Sequence, residues 1–243
     1  MLPINAIGTL QRAGRSLRGL TRPALLAAVL LASGCAAIGE AEYFAGQQAF
    51  DLGQYQIARV LWHGAAQLKD ADAQHGIGWL HDQGLGVPPD PLKAAEWYSK
   101  AARQDHAAAQ LNLGNLYDDG RGVPQDYAKA AEWFRRAAGK GVAEAQNNLG
   151  WMYREGHGVP RDDARAFRLL ARAADQGYPP AQNAVGVMYF RGQGVEKNLE
   201  NAYFWLELAT RNGQPGATHN RDFIAAFLTK DVILKLKNRA DAR

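Results

Sequence analysis

The sequence predicts an all-α fold, an α-solenoid of stacked antiparallel helix pairs. Three observations carry this: a 36-residue internal period, apolar residues at helical spacing inside each period, and glycine-rich turns between the helical stretches. Copies begin at Ala73, Ala109, Ala145 and Ala181. Gly78, Gly114, Gly150 and Gly186 fall in one column; Gly84, Gly120, Gly156 and Gly192 in a second; Ala94, Ala130, Ala166 and Ala202 in a third. A tryptophan column holds Trp97, Trp133 and Trp205, with Leu169 in the remaining copy. Units this small cannot bury their apolar faces alone, so they must stack, and function is expected on an extended surface rather than in a pocket.

The chain opens on residues 1–34, which read as a secretory signal. A basic stretch from Leu10 to Arg22 precedes the apolar run Pro23 to Ala32, which is too short for the about 20 residues that a membrane span needs. The 28 Lys and Arg outnumber the 24 Asp and Glu, but four of the basic residues, Arg12, Arg15, Arg18 and Arg22, precede Cys35, and no acid lies before Glu40. A chain beginning at Cys35 is formally neutral, which removes the counterion-release argument for nucleic-acid binding. Residues 35–40 follow as a tether. The stretch 41–72 then carries Gly46, Phe50, Gly53, Tyr55, Ala58, Leu61, Trp62 and Ala65 around a short turn, Asp51 to Gln54, and is expected to seal the amino-terminal face.

In each of the repeats 73–108, 109–144, 145–180 and 181–216, two helices are predicted. In the second copy Ala109, Leu113, Leu116 and Tyr117 form one apolar face, and Ala130, Trp133, Phe134, Ala137 and Ala138 form the other. Between them, Gly120 and Gly122 permit positive φ, Pro124 stops helix propagation, and Asp126 is placed to cap the second helix. Gly141, Gly177 and Gly213 end second helices, with Asp105 and Lys69 in the earlier places. Residues 217–243 supply C-terminal capping helices: Ala217 to Leu228, then a helix capped by Thr229 whose Val232, Ile233 and Leu236 face the core.

Two resemblances follow from these residues. The order Leu31-Ala32-Ser33-Gly34-Cys35, ending at the only cysteine, resembles the lipobox of bacterial lipoproteins. That implies lipidation of Cys35 after cleavage, and Ala36 in place of Asp implies the outer membrane, facing the periplasm. The repeat pattern A-x-x-x-L-G-x-x-Y-x-x-G-x-G-V-x-x-D-x-x-x-A-x-x-W-[YF]-x-x-A-A resembles the Sel-one-like repeat, a longer-looped relative of the tetratricopeptide repeat. His81, Leu169, Glu196 and Asn198 depart from it without breaking helical periodicity.

Chemistry is hard to find. After Cys35 the only serine is Ser99, without S-x-x-K or G-x-S-x-G. The six histidines are scattered, with no H-E-x-x-H and no Cys-His cluster. The recurring Gly-x-Gly loops lack the strand and lysine of a phosphate loop. Asp118-Asp119 and Asp162-Asp163 suit helix ends better than acid and base work. No enzyme, no cofactor and no metal is therefore expected.

If first helices line the concave face, as in tetratricopeptide stacks, partner-binding residues are His75, Trp79 and Asp82 in the first repeat and Asn115, Asp118 and Asp119 in the second. Asn147, Trp151 and Arg154 follow in the third, then Asn183, Phe190 and Arg191. Trp79 and Trp151 stand where other copies hold Asn115 and Val187, so the repeat itself does not demand an aromatic there. Two functions suit such a face. One is a lipid-anchored scaffold or adaptor for envelope proteins, as the resemblance implies. The other is a glycan- or peptidoglycan-binding module.

Overall fold

A computed structural model describes residues 35–242, with side chains from residue 37. Residues 1–34, expected as a signal, and the side chains of Cys35 and Ala36 lie outside the described residues. Every regular element among the described residues is a helix. The chain divides into two compact units, one ending at Pro89 and one running from Asp90.

The N-terminal unit holds α1 (Cys35–Asp51), α2 (Tyr55–Gln67) and α3 (Ala71–Gln83). Residues 35–40, expected as a tether, are the first turns of α1. Ala36, Ala37, Glu40 and Ala41 favour helix, and Gly39 lets α1 approach Leu68, whose Cδ1 would lie 3.2 Å from a Cβ there. The α1–α2 turn passes through Gly53 at φ 71°. Trp62 of α2 is the centre of this unit. Its indole, 3 % exposed, lies between Gly46 and Gly76: a Cβ on Gly46 would meet Cδ1 at 2.5 Å, and one on Gly76 would meet Cε3 at 2.9 Å. Its ring N–H donates to the Tyr43 carbonyl at 3.3 Å.

The C-terminal unit runs α4 (Pro91–Arg103), α5 (Ala107–Asp119), α6 (Tyr127–Gly139), α7 (Ala143–Glu155), α8 (Asp163–Asp175), α9 (Pro179–Arg191), α10 (Leu199–Arg211), α11 (Ala217–Ala225) and α12 (Lys230–Asp241). From α4 to α10 each helix packs on the next, and α10 also carries α11 and α12. Ala101, Ala137 and Ala173 are fully buried where second helices meet neighbours. Gly114 brings α5 onto α6 so closely that a Cβ would stand 2.6 Å from Phe134 Cε1. Gly122, at φ 70°, lays its loop on the start of α4, where a Cβ would collide with the backbone of Pro91 and Leu92.

Caps define where these helices start. Asp90, Asp126, Asp162 and Asn198 accept from the amides of Lys93, Lys129, Arg165 and Asn201 at 2.8–3.0 Å. Thr229 caps α12, and Leu236 and Ala240 of that helix are buried with Val232 and Ile233 packed beside them. Lys69 and Asp105 adopt φ 66° and 69° where later repeats use glycine.

One buried contact recurs in both units and was not read from the sequence. The amides of Gln74, Gln110, Gln146 and Gln182 donate to the carbonyls of Ala66, Ala102, Ala138 and Ala174 at 3.2–3.4 Å. Each of these carbonyls, at the end of a second helix, also accepts the backbone amide of Lys69, Asp105, Gly141 or Gly177, so the buried glutamine is its second donor. Each glutamine bond also ties the following first helix to that second helix.

Candidate binding surface

The expected surface residues lie on α3, α5, α7 and α9, and most of them are at least partly exposed. In the N-terminal unit, His75 and Trp79 line a cleft with Tyr43, Gln47, Phe50, Trp62, Asp72 and Gly76. Trp79 meets Phe50 edge-on, with centroids 5.5 Å apart. Asp82, at the end of α3, accepts from the Gln83 side chain at 3.4 Å.

The C-terminal unit builds its most developed feature on α7. Trp151 is 41 % exposed, and the Arg154 guanidinium lies 3.4 Å from the centroid of its ring. Arg154 also pairs with Glu155, Nε to Oε1 at 2.8 Å. Trp151 and Arg154 present a partly exposed indole stacked with a cation, an arrangement suited to interface anchoring. On α5, burial pushes the Asp118 carboxyl up; the neighbouring Asp119 charge adds to this, and His157 opposes it. Asp119 is exposed and pairs with Arg121 at 3.4 Å.

Asn147 is withdrawn from the surface, only 6 % exposed. Its Nδ2 donates to Asn148, and Asn148 in turn donates to Asn115, both at 3.2 Å, so this side chain serves a polar link between α5 and α7. Asn183 accepts a similar bond from Asn220 at 3.0 Å. Phe190 packs edge-on against Phe223 at 5.6 Å, while Arg191 is exposed.

Sequence reasoning missed two aromatic contributors. Phe223 and Phe227 are 52 % and 57 % exposed and meet each other at 5.4 Å beside Phe190. Phe223 lies on α11 and Phe227 in the turn just after it, and the available signal was this pair of aromatics four residues apart at the end of a short helical stretch. Tyr43 was also missed as a cleft residue, and its signal was Gly76 standing where other repeats hold Asn112, Asn148 and Ala184. Among the described residues no cluster of His, Cys, Asp and Glu is arranged to hold a metal ion, and no helix is long and apolar enough to cross a membrane.

These features define a helical repeat protein whose first helices carry partly exposed faces. The Sel1 repeat model matches residues 71–106, 107–142, 143–178 and 179–214, more than half of the chain. The chain belongs to the Sel1 repeat family. The matched repeats start two residues before the alanine columns, at the first helices themselves. A Sel1 repeat protein from Oxalobacter formigenes has a similar structure, with a TM-score of 0.69 and 30 % identity over 74 % of this chain and 73 % of that one. A protective antigen present in uropathogenic Escherichia coli strains, with an SLR fold, matches at a TM-score of 0.57 and 29 % identity, over 83 % of this chain and 52 % of that one. A 46-residue stretch, 18 % of this chain, is 46 % identical to chitin synthase regulatory factor 3 of Schizosaccharomyces pombe and spans 5 % of its length. Sel1 repeat proteins are generally non-catalytic scaffolds of protein–protein interaction.

Proposed function

We propose that this chain is a lipid-anchored scaffold or adaptor of the bacterial cell envelope, held at the outer membrane through Cys35 and recruiting envelope proteins on the exposed faces of its first helices. The observation that carries the recruiting role is Trp151 under Arg154. A large indole is left in solvent at a position where the repeat elsewhere accepts Asn115 or Val187, so packing does not account for it. Asp118, Arg191 and the half-buried Trp79 are the further contacts of this reading. Partly exposed Trp and Arg are the side chains that most often dominate interface energies.

The anchor rests on the order of charged, apolar and small residues ending at the lone cysteine. Several acyl chains on Cys35 would hold the protein firmly, whereas one gives only marginal binding. Cys35→Ser should leave the protein unprocessed or released from membranes, and mass spectrometry finding an unmodified Cys35 in the mature wild type would remove the anchor. Trp151→Ala combined with Arg154→Ala should reduce capture of envelope proteins at least roughly thirtyfold, with an unchanged helical spectrum. Undiminished protein capture would move the interaction elsewhere on the molecule. Loss of binding to peptidoglycan fragments instead would make the surface a glycan module.

A further inference from the structure

The cleft of the N-terminal unit has a floor and walls of different origin. Its floor is the buried indole of Trp62, on which Gly76 packs so closely that a Cβ there would meet Cε3 at 2.9 Å. The rings of Tyr43 and Phe50 lie nearly parallel to that indole, at 22° and 28°, with centroids 6.5 and 5.5 Å away. Trp79 stands across Phe50 at 67°, closing the corner. Four aromatic rings thus border a hollow of about 240 Å³.

Charge decides what such a corner takes. From Cys35 to Pro89 the acids are Glu40, Glu42, Asp51, Asp70, Asp72 and Asp82, against only Arg59 and Lys69. Asp72 lies on the cleft itself, in the first turn of α3. Burial raises the Tyr43 phenol, and Asp72, Asp70 and Asp51 raise it further, so the negative field reaches the rings. Ring faces attract cations through their quadrupole, and a nearby carboxylate adds to that attraction. In the C-terminal unit the same attraction is already met internally, with Lys100 over Trp97 at 3.6 Å and Arg136 over Trp133 at 4.6 Å.

We propose that this cleft accepts the cationic end of a lysine or arginine side chain from a basic peptide segment, seated against Trp79 and Tyr43 and countered by the Asp72 carboxylate. This deepens the proposed recruiting role, because it rests on partners meeting first-helix faces, and it assigns the N-terminal unit a ligand chemistry of its own. A sugar would use the rings but would gain little from the net negative charge. A basic side chain uses both.

The test is indole N–H NMR of the full chain in detergent, with the Trp79 signal assigned through Trp79→Phe. A short end-blocked peptide with a central lysine should shift that signal, its norleucine counterpart should not, and salt should weaken the effect. Asp72→Asn, at an exposed position, should weaken lysine-peptide binding at least roughly fivefold while preserving fold. An equal response to norleucine, a response to N-acetylglucosamine oligomers in place of the lysine peptide, or no response would each overturn the proposal. If envelope-protein capture through Trp151 and Arg154 persists while the cleft ignores lysine, only the cleft assignment fails. If the cleft responds while capture is indifferent to those substitutions, the recruiting surface on α7 fails instead.

Discussion

The two units use aromatic rings in opposite ways. In the N-terminal unit Tyr43, Phe50, Trp62 and Trp79 gather into one open corner within an acidic stretch. In the C-terminal unit, where basic residues outnumber acidic ones, rings are distributed along the helices and several carry a cation from the same helix, as Lys100 on Trp97, Arg136 on Trp133 and Arg154 on Trp151. The same kind of helix pair therefore yields either a receptor for charge or a surface that brings its own. What differs is not the backbone but the residue one turn away from each ring.

The strongest way to break this contrast is to remove the ring that organises the N-terminal unit. Trp62→Ala deletes a buried indole between two glycines, a class of change that typically costs about 3–5 kcal/mol. Hydrogen exchange should show protection lost in α1 to α3 and retained in α5 to α9, because repeat stabilities combine by nearest neighbours. Uniform loss across both units would mean that the division has no energetic meaning. In the C-terminal unit, Ala137→Phe forces a large ring into a fully buried site, and overpacking of this kind costs about 1–3 kcal/mol. A clearly lowered Tm by circular dichroism is expected; an unchanged melt would show that the helices part there without cost.

Smaller effects sharpen the picture. Asp162→Ala removes the side chain that accepts from the Arg165 amide, and should lower stability by about 1 kcal/mol in urea unfolding. The tyrosines then report the opposite fields directly. Burial and the acids around Tyr43 raise its phenol; at Tyr153 burial also pushes upward, but hydrogen bonds from Arg135 and Arg165 outweigh it and lower the phenol. In an alkaline titration followed by ring NMR signals, Tyr153 should ionise before Tyr43. The linkage follows by sign: stability rises with pH between the lowered Tyr153 value and the ordinary tyrosine range, and falls between that range and the raised Tyr43 value. The reverse order of ionisation would contradict the charge contrast between units.

Much of this was legible in the sequence because the period repeats physical constraints, not just residues. Asp126 as a cap, Gly141 ending a helix and Ala137 at a close approach each follow from one local rule, and the structure places them accordingly. The surface was harder to read. Asn147 belongs to the expected register of exposed positions, yet it is buried and donates to Asn148, which itself donates across repeats to Asn115, a link that no single-helix register contains. Residues 35–40, expected as a tether, differ for the opposite reason: local helix propensity at Ala36, Ala37, Glu40 and Ala41 carries the first helix back to Cys35. The cleft depends on the angles of four rings from three helices, and those angles come only from packing.

The buried glutamines have a consequence for how such chains can change length. Donor and acceptor are eight residues apart in Gln110, Gln146 and Gln182 alike, so each joint is complete within its own short stretch of chain. An unequal crossover in the gene that removes or adds one whole period between Gln110 and Gln182 leaves every remaining joint with both halves. Loss of part of a period would strand a buried glutamine amide. Recombination is thereby steered toward whole-repeat steps, and the reach of the protein can evolve without redesigning its interior.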